Sequence, residues 1–189
     1  EKSEYFKEQG QYPVIFISLK DLKKNTWEDA FFELKALLRE VYEEHSYVKE
    51  KLSDIEKEEY DKILMKTEDA EYGRALRNLT KYLHHYYQKE VVLLIDEYDS
   101  PLISAYEYHY YSDAIAFFKV FYGEALKTNQ YLKMGVMTGI LRVAKENIFS
   151  GLNNLEVHTI LDDEFTEYFG IMENEVEKSL EDFGLKYEL

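Results

Sequence analysis

Glu90-Val91-Val92-Leu93-Leu94-Ile95-Asp96-Glu97-Tyr98-Asp99-Ser100-Pro101-Leu102 decides how the rest of the chain is read. Five apolar residues, Val91 to Ile95, run without a polar break and give way at once to Asp96, Glu97 and Asp99. A short Val/Leu/Ile run with no polar face predicts a strand buried on both sides, and such strands belong to parallel sheets covered by helices. Ligands of open α/β sheets sit outside the carboxyl ends of the strands. The run therefore delivers two adjacent carboxylates, Asp96 and Glu97, to the edge where chemistry is done. Ser100-Pro101 opens the next segment, with proline pre-set for a first helical position.

An apolar strand that ends in Asp-Glu is the Walker B pattern of P-loop ATPases of the additional-strand type. In that pattern the Asp holds Mg²⁺ through water and the Glu polarises the attacking water. The residue types suit the task, because Mg²⁺ prefers carboxylate oxygens and waters, and hydrolysis needs a base that orients its nucleophile. The same pattern also arises wherever a buried strand simply ends in polar residues and starts a loop. This stretch alone leaves both readings open.

Composition narrows the field. A chain of 189 residues is long enough for a real hydrophobic core, and it reads as one domain over 1–189. It has no Cys, which excludes a disulfide scaffold and any Cys-ligated metal site and fits a reducing, cytoplasmic compartment. No apolar run approaches the roughly 20 residues that span a bilayer, so no membrane partner is expected. A formal charge of −15 argues against broad nucleic-acid binding, which needs positive surface.

Along the chain, residues 1–9 read as a helix closed by Gly10, and Pro13 to Leu19 as a second buried strand. Thr26 is an N-cap for a helix from Trp27 to about His45, with apolar positions at Ala30, Phe31, Leu34, Leu37, Leu38, Val41 and Tyr42. The charged stretch at about 46–70 reads as a helical insertion over the core, with a short helix around Asp54–Met65. Glu68 to Lys89 is a helix whose adjacent His84 and His85 lack the spacing of a metal pair and belong to its surface. The tyrosine-rich Tyr106–Tyr111 segment lacks the basic neighbours of a base-stacking platform, which favours packing and lid contacts.

Ser112 caps the next helix, to about Lys127. Tyr131 to Gly139 is the third strand, ending in Thr138-Gly139 at the same edge as Asp96. Val157 to Leu161 reads as a short fourth strand, followed by helices at 164–169 and 173–182. The alternation of strands and helices predicts an α/β fold with a mainly parallel sheet, a three-layer sandwich.

Three blocks together resemble a known family. They are Leu94-Ile95-Asp96-Glu97-Tyr98-Asp99-Ser100-Pro101-Leu102, the run from Thr138-Gly139-Ile140-Leu141-Arg142 to Leu152-Asn153-Asn154, and Leu161-Asp162-Asp163-Glu164-Phe165-Thr166-Glu167-Tyr168-Phe169-Gly170. In that order they resemble the bacterial AAA-ATPase-like proteins, whose P-loop NTPase domain is commonly followed by a nuclease-like domain of the PD-(D/E)XK type. The likeness covers about the second half of the chain, the first half matching mainly in layout. It implies Asp96 as the Mg²⁺-associated acid, Glu97 as the water-activating base and Thr138 as a sensor of the γ-phosphate or attacking water. Arg142 would neutralise charge developing on the phosphoryl group. For Thr138 a helix N-cap, and for Arg142 a salt bridge to a nearby acid, are the competing structural roles.

The sequence departs from the family at one point. A phosphate cradle requires Gly-x-x-x-x-Gly-Lys-[Ser/Thr], and the eight glycines, at 10, 73, 123, 135, 139, 151, 170 and 184, nowhere form it. In the family that cradle lies upstream of the segment resembling Pro13–Leu19. The expectation is therefore a partial P-loop NTPase fold missing the first strand and P-loop, with the sheet lacking its central strand and exposed edges beside the Asp96 strand. Such edges invite pairing with another copy. ATP binding and Mg²⁺-dependent hydrolysis are expected of the parent, with ATP as substrate and Mg²⁺ as cofactor, both dependent on the missing cradle. Nucleic acid enters only through a nuclease-like domain outside this chain. The alternatives are a non-catalytic nucleotide-binding or protein-interaction scaffold, and a Mg²⁺-dependent phosphatase or nuclease built on Asp96, Glu97 and Asp99.

Overall fold

The computed structural model describes residues 4–140, 155–159, 161–162 and 170–185. The chain divides into two units, Glu1–Asn153 and Asn154–Leu189. In the first, three parallel strands lie in the order β1 (Val14–Ser18), β2 (Val91–Asp96), β3 (Leu132–Met137). The register sets Ser18 opposite Asp96 and Ile95 opposite Met137, so all three strands end at one edge. The fold is α/β, with helices between consecutive strands as parallel pairing demands.

Helix α1 (Trp27–Glu44) begins where Thr26 accepts the Asp29 backbone N–H, and it buries Ala30, Leu34, Leu38, Val41 and Tyr42. Helix α2 (Asp54–Leu64) starts in a reciprocal capping box between Ser53 and Glu56. The charged region around α2 is tied to the core through Tyr60, which is fully buried and donates its hydroxyl to the Tyr42 carbonyl. Helix α3 (Ala75–Tyr87) is shorter than the expected 68–89 span, because Tyr72–Arg74 forms a 3₁₀ turn before it. After β2, α4 (Ser100–Glu107) carries Pro101 in its first turn. Helix α5 (Tyr111–Leu126) has Tyr110 at its N-cap position, two residues before the expected Ser112 cap.

The sheet differs from expectation in two respects. β2 is the middle strand, with neighbours on both sides, so the open edges belong to β1 and β3 and not to the Asp96 strand. The apolar run is also not buried on both faces. Ile15, Ile17, Val91, Leu93 and Ile95 are buried in the core, where α1 packs on β1 and α3 on β2. Val92 and Leu94 point the other way and are half-buried, beside the exposed Val14 and Phe16 of β1 and Met134 and Val136 of β3. Among the described residues the helices cover one face, so the expected three layers are two there.

In the second unit, helix α6 (Glu173–Asp182) occupies the predicted span and is followed by Gly184 at φ +69°. Residues 157–159 of the expected fourth strand form no strand, and the expected 164–169 helix lies outside the described residues.

Candidate active site at the carboxyl edge of the sheet

Three side chains converge where the strands end. The Ser18 hydroxyl, closing β1, donates to Oδ2 of Asp96 at 3.0 Å. The Thr138 hydroxyl, one residue past β3, donates to Oδ1 of the same carboxylate at 2.5 Å. The Thr138 bond, then that of Ser18, then the Glu97 backbone N–H and the charge of Lys20, hold the Asp96 carboxyl below its ordinary range against partial desolvation. Asp96 is thus kept ionised and oriented by one neighbour on each flank. A carboxylate offers about four lone-pair directions, and with Ser18, Thr138 and the Glu97 N–H taking three, about one remains for water or a hydrated cation.

Glu97 follows in an unusual backbone conformation. Five described non-glycine residues have positive φ; Lys66, Gln88, His109 and Thr128 close helices, and Glu97, at φ +50°, alone follows a strand. Left-handed backbone in a side chain of this size costs about 1–2 kcal/mol, and such strain concentrates at functional sites. The turn throws Glu97 sideways from Asp96, where its Oε2 accepts the Ser100 hydroxyl at 2.7 Å. The same oxygen lies 3.5 Å from Nζ of Lys23.

Lys23 is placed there by its loop. Leu22 is fully buried, and the next carbonyl after Lys23, that of Lys24, accepts both the Ser104 and Tyr110 hydroxyls at 2.8 Å. Tyr110 of the tyrosine-rich segment is therefore a packing residue that anchors the rim of the site. A surface depression of about 320 Å³ lined by Lys23, Lys24, Asn25, Asp29, Phe32 and Glu33 opens next to this rim.

Of the residues singled out from the sequence, the fold brings Asp96, Glu97 and Thr138 to one edge. The Thr138 hydroxyl is spent on Asp96. Arg142 lies outside the described residues. Asp99, the third acid of the stretch, is 1% exposed and accepts the Ile140 backbone N–H, so its carboxylate serves the turn after β3. Among the described residues no group of three or more His, Cys, Asp and Glu is placed to hold a metal ion. Ser18, Lys23 and Ser100 were not identified from sequence. Only strand pairing reveals that Ser18 registers with Asp96, and three lysines within residues 20–24 gave the one available hint of a cationic rim.

A family described as a predicted AAA-ATPase, the AAA-ATPase-like family, matches residues 1–149. The chain belongs to the AAA-ATPase-like family. The match runs through the first half of the chain, where agreement mainly in layout was expected, and ends before the 161–170 block. Neither a curated protein nor a solved structure matches the chain. No helix among the described residues is long and apolar enough to cross a membrane.

Proposed function

We propose that this chain carries the acidic half of an ATP-hydrolysing site, with Asp96 as the acid associated with Mg²⁺ and Glu97 as the base that orients the attacking water. The observation that carries this reading is the Asp96 carboxylate gripped by Ser18 and Thr138 at the ends of three parallel strands, with Glu97 beside it in strained backbone. A single oriented acid with one open direction suits Mg²⁺, which keeps several waters and draws its other ligands from phosphate oxygens. When bound, the ion supplies charge neutralisation for phosphoryl transfer. Thr138 orients Asp96 and keeps the phosphate-sensing role that the family resemblance implies. Arg142 keeps the charge-neutralising role that the family resemblance implies.

On this reading the phosphate-binding segment joins the sheet at an outer edge. β2 is flanked on both sides, leaving the outer edges of β1 and β3. β1 buries Ile15 and Ile17, whereas Lys133 to Val136 of β3 are exposed. A strand bearing the cradle therefore fits beside β3, next to Thr138.

A second reading has its own support. Glu97 is already engaged by Ser100 and Lys23, which suits a non-catalytic nucleotide-binding or interaction scaffold. The phosphatase or nuclease alternative loses ground because Asp99 is turned into the fold. ATP turnover by the intact protein, wild type beside Glu97→Gln, separates the first two. Removing the base while keeping the shape lowers hydrolysis by roughly 10²-fold and leaves ATP binding in place. Equal rates, or no turnover by the wild type, would hand the case to the scaffold.

A further inference from the structure

From the packing around Gly139 we infer that Asp99 is the positioning residue that sets Thr138 on Asp96. Asp99 lies in the turn between β2 and α4, and its Oδ2 accepts the Ile140 N–H at 2.9 Å. Its Oδ1 approaches the neighbouring residue so closely that a Cβ on Gly139 would lie 2.6 Å from it, 2.7 Å from a ring carbon of Tyr98 and 2.9 Å from Cγ of Asp99. All three distances are shorter than real Cβ contacts allow, so glycine is required here by close approach and not by a left-handed φ.

The carboxylate thus seizes the chain immediately after Thr138. Before it, the ladder with β2 runs on past the strand end: the Thr138 N–H donates to the Ile95 carbonyl at 2.9 Å, and the Tyr98 N–H to the Thr138 carbonyl at 3.0 Å. Tyr98 is in turn fixed from α5, whose fully buried Tyr122 donates its hydroxyl to the Tyr98 carbonyl at 2.7 Å. Thr138 is held on both sides, and its hydroxyl is left to face Asp96. Ile140 itself is 86% exposed, so the grip on its N–H adds little to the core and acts on the geometry of the turn. An ionised acceptor makes the stronger hydrogen bond to a backbone N–H. A neutral amide oxygen keeps the geometry.

The kinetic part of the test rests on the ATPase reading; the exchange part does not. In the intact protein, Asp99→Ala lowers kcat roughly tenfold with KM little changed, because an orienting contact is lost and a binding contact is not. In a Thr138→Ala background the same change adds less than about twofold, since both substitutions remove one interaction. Asp99→Asn, which retains the acceptor, stays within about threefold of wild type, and Gly139→Ala reproduces the Asp99→Ala loss. Fully additive losses from Asp99→Ala and Thr138→Ala, or an Asn variant as damaged as the Ala variant, would overturn the inference.

Amide hydrogen exchange over residues 138–140 without nucleotide supplies the independent arm. It speeds up roughly tenfold or more in Asp99→Ala and stays near wild type in Asp99→Asn. Unchanged exchange in Asp99→Ala removes the role. Faster exchange in a protein whose wild type turns over no ATP keeps the role and removes the ATPase reading alone. If Asp99→Ala does not fold, Gly139→Ala and Asp99→Asn carry both arms.

Discussion

The two faces of the sheet are built from one stretch of sequence and behave as different materials. On the helix side Val91, Leu93 and Ile95 are at most 1% exposed, in one buried cluster with residues of α1, α3 and α5. One residue along, Val92 and Leu94 face a surface shared with Phe16, 57% exposed, and Met134, 53% exposed. The difference teaches that hydrophobicity reports what a face must eventually bury, not what covers it. The site at the end of the strands draws on both faces, since Ser18, Asp96 and Thr138 alternate onto the open side while Tyr98 and Asp99 turn into the helices.

The largest effect that would break this comparison is a core truncation. Leu93→Ala on the helix side costs about 2–5 kcal/mol in denaturant unfolding, whereas Phe16→Ala on the open side costs under about 1 kcal/mol. Equal losses would mean that the open side is covered after all. Next comes Tyr60→Phe, which removes the hydroxyl that reaches the Tyr42 carbonyl from α2 and leaves a buried acceptor without it. A loss of about 1–2 kcal/mol is expected; a silent substitution would make α2 an ornament on the helix side. Ser53→Ala, deleting the α2 cap, should lower stability by about 1 kcal/mol in the same assay.

A pH series sharpens the picture further. Hydrogen bonding from Lys81, aided by Ser53, brings the Glu56 carboxyl down to about 2. A carboxyl depressed in the folded state adds stability above its unfolded value and loses it as pH falls through the folded one. The advantage of wild type over Glu56→Gln should therefore be full at neutral pH and disappear between about 4.5 and about 2. Denaturation curves at pH 7, 4 and 3 read it directly.

The smallest effect concerns the open face. Exposed apolar surface and an unpaired strand edge invite pairing, so this chain in isolation is expected to self-associate, and Val136→Lys to reduce that association. Elution together with a monomer standard at all concentrations would dismiss it.

Much of this was legible in residues. Thr26 caps its helix as its side-chain chemistry dictates, Pro101 stands in a first turn, and β1, β2 and β3 lie within the predicted apolar runs. Asp96, Glu97 and Thr138 could be placed at one edge because parallel strands all end on the same side. Other features were not legible. Gly139 reads as a turn residue, yet it is a contact surface for Asp99, and that depends on atoms 40 positions away in sequence. Ser53 and Glu56 carry a local capping-box signature, and it starts the short helix expected around Asp54–Met65. Tyr60, buried against Tyr42 at a ring distance of 4.5 Å, ties that helix to α1, which no local pattern records.

By itself the sequence determined the α/β class, the parallel sheet and the edge at which the acids gather, because side-chain periodicity and strand-end polarity are local properties. Strand order, the single covered face and the partners of each acid were decided only in three dimensions. Neighbouring strands here lie more than thirty residues apart in the chain, and nothing local in Ser18, Lys23 or Asp99 records what the fold will bring beside it.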